Sequence, residues 1–198
     1  AFSSCNGLNS VHISDVISWC SINFQDIESN PLYYAHHLFL NNTEITDLII
    51  PDSIISIRNY AFSGCSGLTS IKIPNSVTSI GDFTFSNCSG LSLVSIPNSI
   101  RSIGYYAFSG CKRLVSIAIP ESVTSIESYA VEGCSSLTSI TIPEGVTSIE
   151  SYAFYGCSSL TSIFIPENVM SIGRSAFYDC SSLISIAIPK SVTSINDY

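Results

Sequence analysis

Apolar residues recur along this chain with a step of 23 positions. Ile57, Ile80, Ile103, Ile126, Ile149, Ile172 and Ile195 form one column; Pro51, Pro74, Pro97, Pro120, Pro143, Pro166 and Pro189 form another. Phe62, Phe85, Phe108, Val131, Phe154 and Phe177 form a third, and Cys65, Cys88, Cys111, Cys134, Cys157 and Cys180 a fourth. No insertion breaks the register from Ile50 onward. Within a unit, the run from Leu68 to Ile73 alternates as a strand does, with Ile71 and Ile73 inward and Ser70 and Lys72 outward. Pro74 has no N–H and ends the strand at a fixed place. Val77 and Ile80 turn inward again, and the stretch around Phe85 and Cys88 closes the turn, predicted as a short 3-10 or helical piece.

One unit cannot bury these groups alone, whereas units stacked in register bury all of them together. Strands at the same phase of each turn then pair in parallel, about 4.8 Å apart. The predicted strand segments are 8–13, 45–50, 68–73, 91–96, 114–119, 137–142, 160–165 and 183–188. They give a stack roughly 35–40 Å long. The whole of 1–198 reads as one solenoid domain. Both ends fall inside a repeat and read as cuts in a longer protein, so open edges would favour self-association.

The unit L-x-x-I-x-I-P-x-x-V-T-S-I-x-x-x-A-F-x-x-C, as at Leu137 to Cys157, resembles the BspA-like, or Treponema-type, leucine-rich repeat. The resemblance implies a β-rich leucine-rich-repeat solenoid with a parallel concave sheet and short strands, 3-10 or helical turns on the convex side. It also implies a bacterial cell-surface or secreted protein, or one from certain protists, that adheres to host proteins or to other cells. A repeat scaffold fixes shape and leaves the ligand open.

The step fails once, between Ile13 and Ile50, within residues 15–44. Asp15 is placed to cap a helix over Val16 to Ser21, which carries the only Trp, Trp19, and the off-register Cys20. Asn30-Pro31 marks a turn, and Leu38 to Ile50 reads as a hairpin feeding the second solenoid strand. The run Asn30 to Leu40 resembles a segment of gut-bacterial members of the same family. The Trp, Ile and Leu content of residues 15–44 suits packing over the core.

Composition narrows the function classes. The chain is 45% hydrophobic and only 11% charged, with net charge −8, so its surface is mostly Ser, Thr, Asn and Tyr. Seven scattered Lys and Arg exclude a phosphate-backbone reader, so no nucleic-acid partner is expected. No apolar run approaches the length of a membrane-spanning helix.

No cofactor, metal or catalytic constellation is expected. The cysteine ladder, which Cys5 fits, runs parallel and inward, so free buried thiols are expected rather than disulfides or a zinc site. His36 and His37, read as strand neighbours, point to opposite faces and cannot share a ligand shell. No G-x-S-x-G elbow or phosphate loop is present. Glu121, Glu144 and Glu167 should stack into a solvated acidic column, where Ca²⁺ or a basic partner would relieve repulsion.

The concave face is the usual ligand face that the resemblance implies. Its candidate contact residues are His12, Asp47, Ile49, Lys72, Leu93, Ser116, Ser139, Thr141, Ser162 and Phe164. A second candidate surface is the tyrosine-rich turn, with Tyr105, Tyr106, Tyr129 and Tyr152. The expected function is a non-enzymatic scaffold for an extracellular or host-surface protein. The alternatives are a spacer presenting another domain and, behind both, a metal or catalytic site in 15–44.

Overall fold

The computed structural model describes residues 1–197. It is a parallel β-solenoid with two ladders of short strands, few helices, and the core running between them. The first ladder has strands β4 (Asp47–Ile49), β6 (Ser70–Lys72), β8 (Leu93–Ser95), β10 (Ser116–Ala118), β12 (Ser139–Thr141), β14 (Ser162–Ile163) and β16 (Ser185–Ile186). The second has β5 (Ser56–Ile57), β7 (Ser79–Ile80), β9 (Ser102–Ile103), β11 (Ser125–Ile126), β13 (Ser148–Ile149), β15 (Ser171–Ile172) and β17 (Ser194–Ile195). Every pairing within these ladders is parallel and in register, as Ile71 with Val94 and Ile126 with Ile149.

The proline column acts as expected. Each proline ends a strand, and its carbonyl accepts a turn hydrogen bond from the inward residue three positions on, as Val77 N to Pro74 O at 3.2 Å and Val146 N to Pro143 O at 3.1 Å. Leu68, Ile71, Ile73, Val77, Ile80, Phe85 and Cys88 are all buried, and their counterparts continue one apolar core from Trp19 to Cys180.

The closing turns are not helical, contrary to the sequence expectation. Each holds two residues at positive φ, such as Phe83 and Asn87 or Tyr106 and Gly110, and a left-handed residue interrupts a right-handed 3-10 or α run. Alternate N–H groups there donate to the next turn instead: Phe83 to Tyr105, Phe85 to Ala107 and Asn87 to Ser109, at 2.7–2.9 Å. Tyr60, Phe83, Tyr106, Tyr129 and Tyr152, all left-handed, stack ring on ring at 4.2–5.1 Å.

The irregular turn also departs from expectation. Strand β1 (Val11–Ile13) pairs in parallel with β2 (Leu38–Leu40), so the second rung is β2 and not 45–50. Asn41 and Asn42, both at positive φ, reverse the chain into β3 (Thr43–Glu44), which runs antiparallel to β2. That hairpin consumes the extra residues before β4 begins. Helix α1 (Val16–Ser21) forms as expected, with the Asp15 carboxylate accepting from Ser18 N at 2.6 Å. Helix α2 (Leu32–Ala35) follows Pro31 and ends at His36 in the left-handed region. Trp19, Cys20, Phe24, Leu32 and Leu38 join the core, so the segment packs over the first regular turn.

Candidate functional site

The outward residues of the first ladder share one sheet face. Asp47 pairs with Ser70 and Ser70 with Leu93; Ile49 pairs with Lys72 and Lys72 with Ser95. Ser116 pairs with Ser139, Thr141 bridges to Phe164, and Ser162 pairs with Ser185. Asp47, Lys72, Ser116, Ser139, Thr141 and Ser162 are all exposed. Three of the residues on the face are large and apolar: Ile49, Leu93 and Phe164 are 68%, 64% and 62% exposed. The hydroxyl of Ser70, and then that of Thr46, hold the Asp47 carboxyl below its ordinary pKa, so it is anionic beside this floor.

His12 stands apart. It is exposed on the separate β1–β2–β3 sheet, with its ring stacked on Phe39 at 4.8 Å.

The tyrosine surface divides in two. Tyr106, Tyr129 and Tyr152 belong to the stack, which Arg174 meets with its guanidinium 5.9 Å from the Tyr152 ring. Burial, then the neighbouring Tyr129, pushes the Tyr106 hydroxyl up to about 12. Tyr105 lies outside the stack, half-exposed. The sequence pattern did not single out Phe83 as a member of the stack. The 23-residue step to Tyr60 and Tyr106 was the available signal. Glu121, Glu144 and Glu167 are exposed, and among the described residues no cluster of His, Cys, Asp or Glu is arranged to hold a metal ion.

All eight cysteines are free. Cys65 to Cys180 form the inward column as expected, and five of them donate to a backbone carbonyl of the turn before, as Cys88 Sγ to Phe62 O at 3.1 Å. Cys5 does not fit that column: it is exposed, because no turn of the described chain covers the outer side of its loop. His36 and His37 have separate partners, as expected, but for a different reason. They follow α2 rather than lying on a strand. His36 Nδ1 meets Gly64 O at 3.0 Å, and His37 Nδ1 meets Glu44 Oε1 at 2.5 Å. Cys20 is buried, with its thiol pushed up to about 12 chiefly by desolvation.

Among the described residues, no helix is long and apolar enough to cross a membrane. No curated protein matches the chain. Solved structures do. A leucine-rich repeat protein of T. pallidum is 29% identical with a TM-score of 0.73, over 76% of this chain and 73% of that one. A leucine-rich cell surface protein of Faecalibacterium prausnitzii is 31% identical with a TM-score of 0.68, over 94% of this chain but only 42% of its own. A leucine-rich repeat protein of Bacteroides ovatus is 32% identical with a TM-score of 0.60, over 75% of this chain and 47% of that one. This chain thus spans less than half the length of the latter two. The model for the BspA-type leucine-rich repeat region matches residues 1–89, 33–134 and 90–198, a span that takes in all of the 23-residue columns and their parallel ladders as well as the irregular turn, and the chain belongs to that family.

Proposed function

We propose that this chain is a non-enzymatic protein-binding scaffold, a module of a cell-surface or secreted protein that adheres to host or cell-surface proteins. The observation that carries the reading is the first sheet face. Ile49, Leu93 and Phe164 project from a floor otherwise made of Ser, Thr and Ala, with Asp47 and Lys72 beside them. A small-residue floor admits close approach, and large apolar side chains in such a setting are the usual anchors of an interface. The reading is supported by the burial of seven of the eight cysteines and by the separate partners of His36 and His37, Gly64 and Glu44. The surface location is supported by the description of the F. prausnitzii relative as a cell surface protein.

The test is titration of the immobilised chain with extracellular-matrix and plasma proteins, beside a Leu93→Glu/Phe164→Glu variant of equal thermal stability. Saturable binding that the variant loses supports the reading. Binding retained by the variant moves the contact off this face. No binding to any of these proteins favours a spacer, for which the near-identical small-residue rungs around Ser116, Ser139 and Ser162 are the supporting observation.

A further inference from the structure

We infer that the irregular turn builds a second, separate binding site, a groove for a short oligosaccharide centred on Tyr33 and His36. Both residues border two adjoining grooves, of about 520 and 350 Å³. The first runs past Glu28, Ser3 and Tyr34, and the second past Ser66, Asn87, Ser89 and Lys112. These volumes suit a small ligand rather than a protein surface.

The central groups, His36, Tyr33 and Tyr34, are held in place. His36 ends α2 at φ 65°, its N–H bonded to Leu32 O. Its Nδ1 lies 3.0 Å from the carbonyl of Gly64. A carbonyl only accepts, so Nδ1 carries the hydrogen, and in the neutral ring Nε2 is an acceptor. Tyr33 is 39% exposed, and its ring meets Tyr34 edge-on, with centroids 5.0 Å apart. Tyr34 is tied down by its hydroxyl, which accepts from Ser4 N at 3.2 Å. Gly64, at φ 81°, brings the second groove against α2: a Cβ there would stand 3.0 Å from Leu32 O and 3.1 Å from Tyr33 Cα. Among the described residues no other turn has this neighbour, because only the irregular turn supplies α2.

The chemistry of the lining selects the ligand class. A sugar ring offers hydroxyls that donate and accept, and C–H faces that pack on aromatic rings. The lining offers the matching set: an exposed tyrosine ring, an imidazole acceptor, the hydroxyls of Ser3, Ser66 and Ser89, and the Asn87 amide. A nucleic acid would need several cations, and Lys112 is the one lysine or arginine on either groove. Lys112 stands on the second groove, away from Glu28, and there it selects a carboxylate-bearing sugar over a neutral one.

The experiment is a titration followed by NMR line broadening. The probes are a β-1,4-linked glucose tetramer, an N-acetylglucosamine tetramer and a galacturonic-acid tetramer. The proteins are the native chain, Tyr33→Ala, His36→Asn (asparagine also tolerates the left-handed conformation) and Lys112→Gln, each checked for an unchanged melting temperature. The expected result is saturable binding, tightest for the acidic tetramer and weakened at least about tenfold by Tyr33→Ala and His36→Asn. Lys112→Gln should abolish only the preference for the acidic tetramer. Absence of binding to all three sugars, or binding indifferent to Tyr33 and His36, overturns the proposal. A Leu93→Glu/Phe164→Glu variant must bind the sugars normally, so this site and the sheet face fail or stand separately.

Discussion

The indole Nε1 of Trp19 donates to the backbone carbonyl of Ala61 at 2.8 Å. In later turns the equivalent carbonyl takes a backbone N–H from the turn before, as Ala107 from Phe85 and Ala130 from Phe108, both at 2.9 Å. The irregular turn has no such N–H to give, so side chains replace it. Asn30 Nδ2 adds a second, longer contact to the same Ala61 carbonyl at 3.4 Å, and the irregular turn further ties down Tyr60 O through Asn30 Nδ2 at 2.6 Å and Gly64 O through His36 Nδ1. Trp19→Phe keeps the apolar packing and leaves that buried carbonyl with only the longer contact from Asn30 Nδ2, at 3.4 Å. It should cost about 1 kcal/mol in urea denaturation followed by circular dichroism. An unchanged midpoint would show that Asn30 Nδ2 closes on the carbonyl and takes over as its donor.

Tyr106 and Tyr129 stack at 4.2 Å while both hold positive φ, a backbone conformation unfavourable for any side chain but compensated here by ring packing. At such a position the usual ranking inverts. Tyr129→Ala loses the stack and keeps the strain, whereas Tyr129→Gly loses the stack and relieves it. The glycine variant should be the more stable of the two by about 1 kcal/mol, as read from paired denaturation curves.

Much of this architecture is legible in the sequence because in-register stacking demands the same residue type at the same phase. That is why the Ile, Pro, Phe and Cys columns predicted the ladders and the buried thiols correctly. The left-handed turns were less visible. Gly64 and Gly110 signal positive φ, but Tyr106 and Tyr129 do not, and their conformation follows from stacking between turns. The second rung was misplaced because a one-dimensional step cannot distinguish a longer parallel turn from a hairpin. Leu38 to Leu40 pairs both ways, with β1 and with β3. The outward alternation that put Asp47, Ile49, Leu93 and Phe164 on one face was readable, since it needs only the period of a strand. The groove at Tyr33 and His36 was not, since it depends on where α2 lands.

Val131 interrupts the phenylalanine column. Phe62, Phe85 and Phe108 stack at 5.4–5.6 Å, and Phe154 resumes with Phe177 at 5.2 Å. A small enclosed void bordered by Phe108, Ile126 and Ile140 lies beside the valine. Val131→Phe restores the column into that space and should raise stability by about 1 kcal/mol, seen as a higher melting temperature. A lower one would mean that the turn has closed around valine and is overpacked.

The thiols make the fold sensitive to alkali. Burial pushes Cys65 up to about 12 and Cys180 up to about 11, and raises Cys88, Cys111 and Cys157 as well. An unfolded thiol ionises near 9, so between pH 9 and 11 the unfolded chain has released protons that the folded chain retains. Stability is therefore full below pH 9 and falls above it, by up to about 1.4 kcal/mol per pH unit for each thiol. Melting curves from pH 7 to 10.5 should bend downward beyond 9. At pH 8, mass spectrometry after brief alkylation should show a single adduct, on the exposed Cys5; rapid labelling of Cys111 would mean that the column opens in the native state.

Removing residues 115–137 separates the scaffold reading from the spacer reading. The deletion joins Leu114 to Thr138, and because it removes one whole repeat, every column stays in phase. Ser139 then takes the place of Ser116 beside β8, and the backbone ladder closes as before. Each turn contacts only its neighbours, so a shortened solenoid should still fold, with a modestly lower melting temperature. What changes is the distance between anchors. Leu93 and Phe164 stand three turns apart, and the deletion brings them to two, from roughly 14 to roughly 10 Å along the stack. A partner that engages both must lose one contact, so its affinity should fall about tenfold or more. A spacer would keep its function with only its length reduced. If a folded deletion variant binds a protein partner as tightly as the native chain, the contact does not span Leu93 and Phe164.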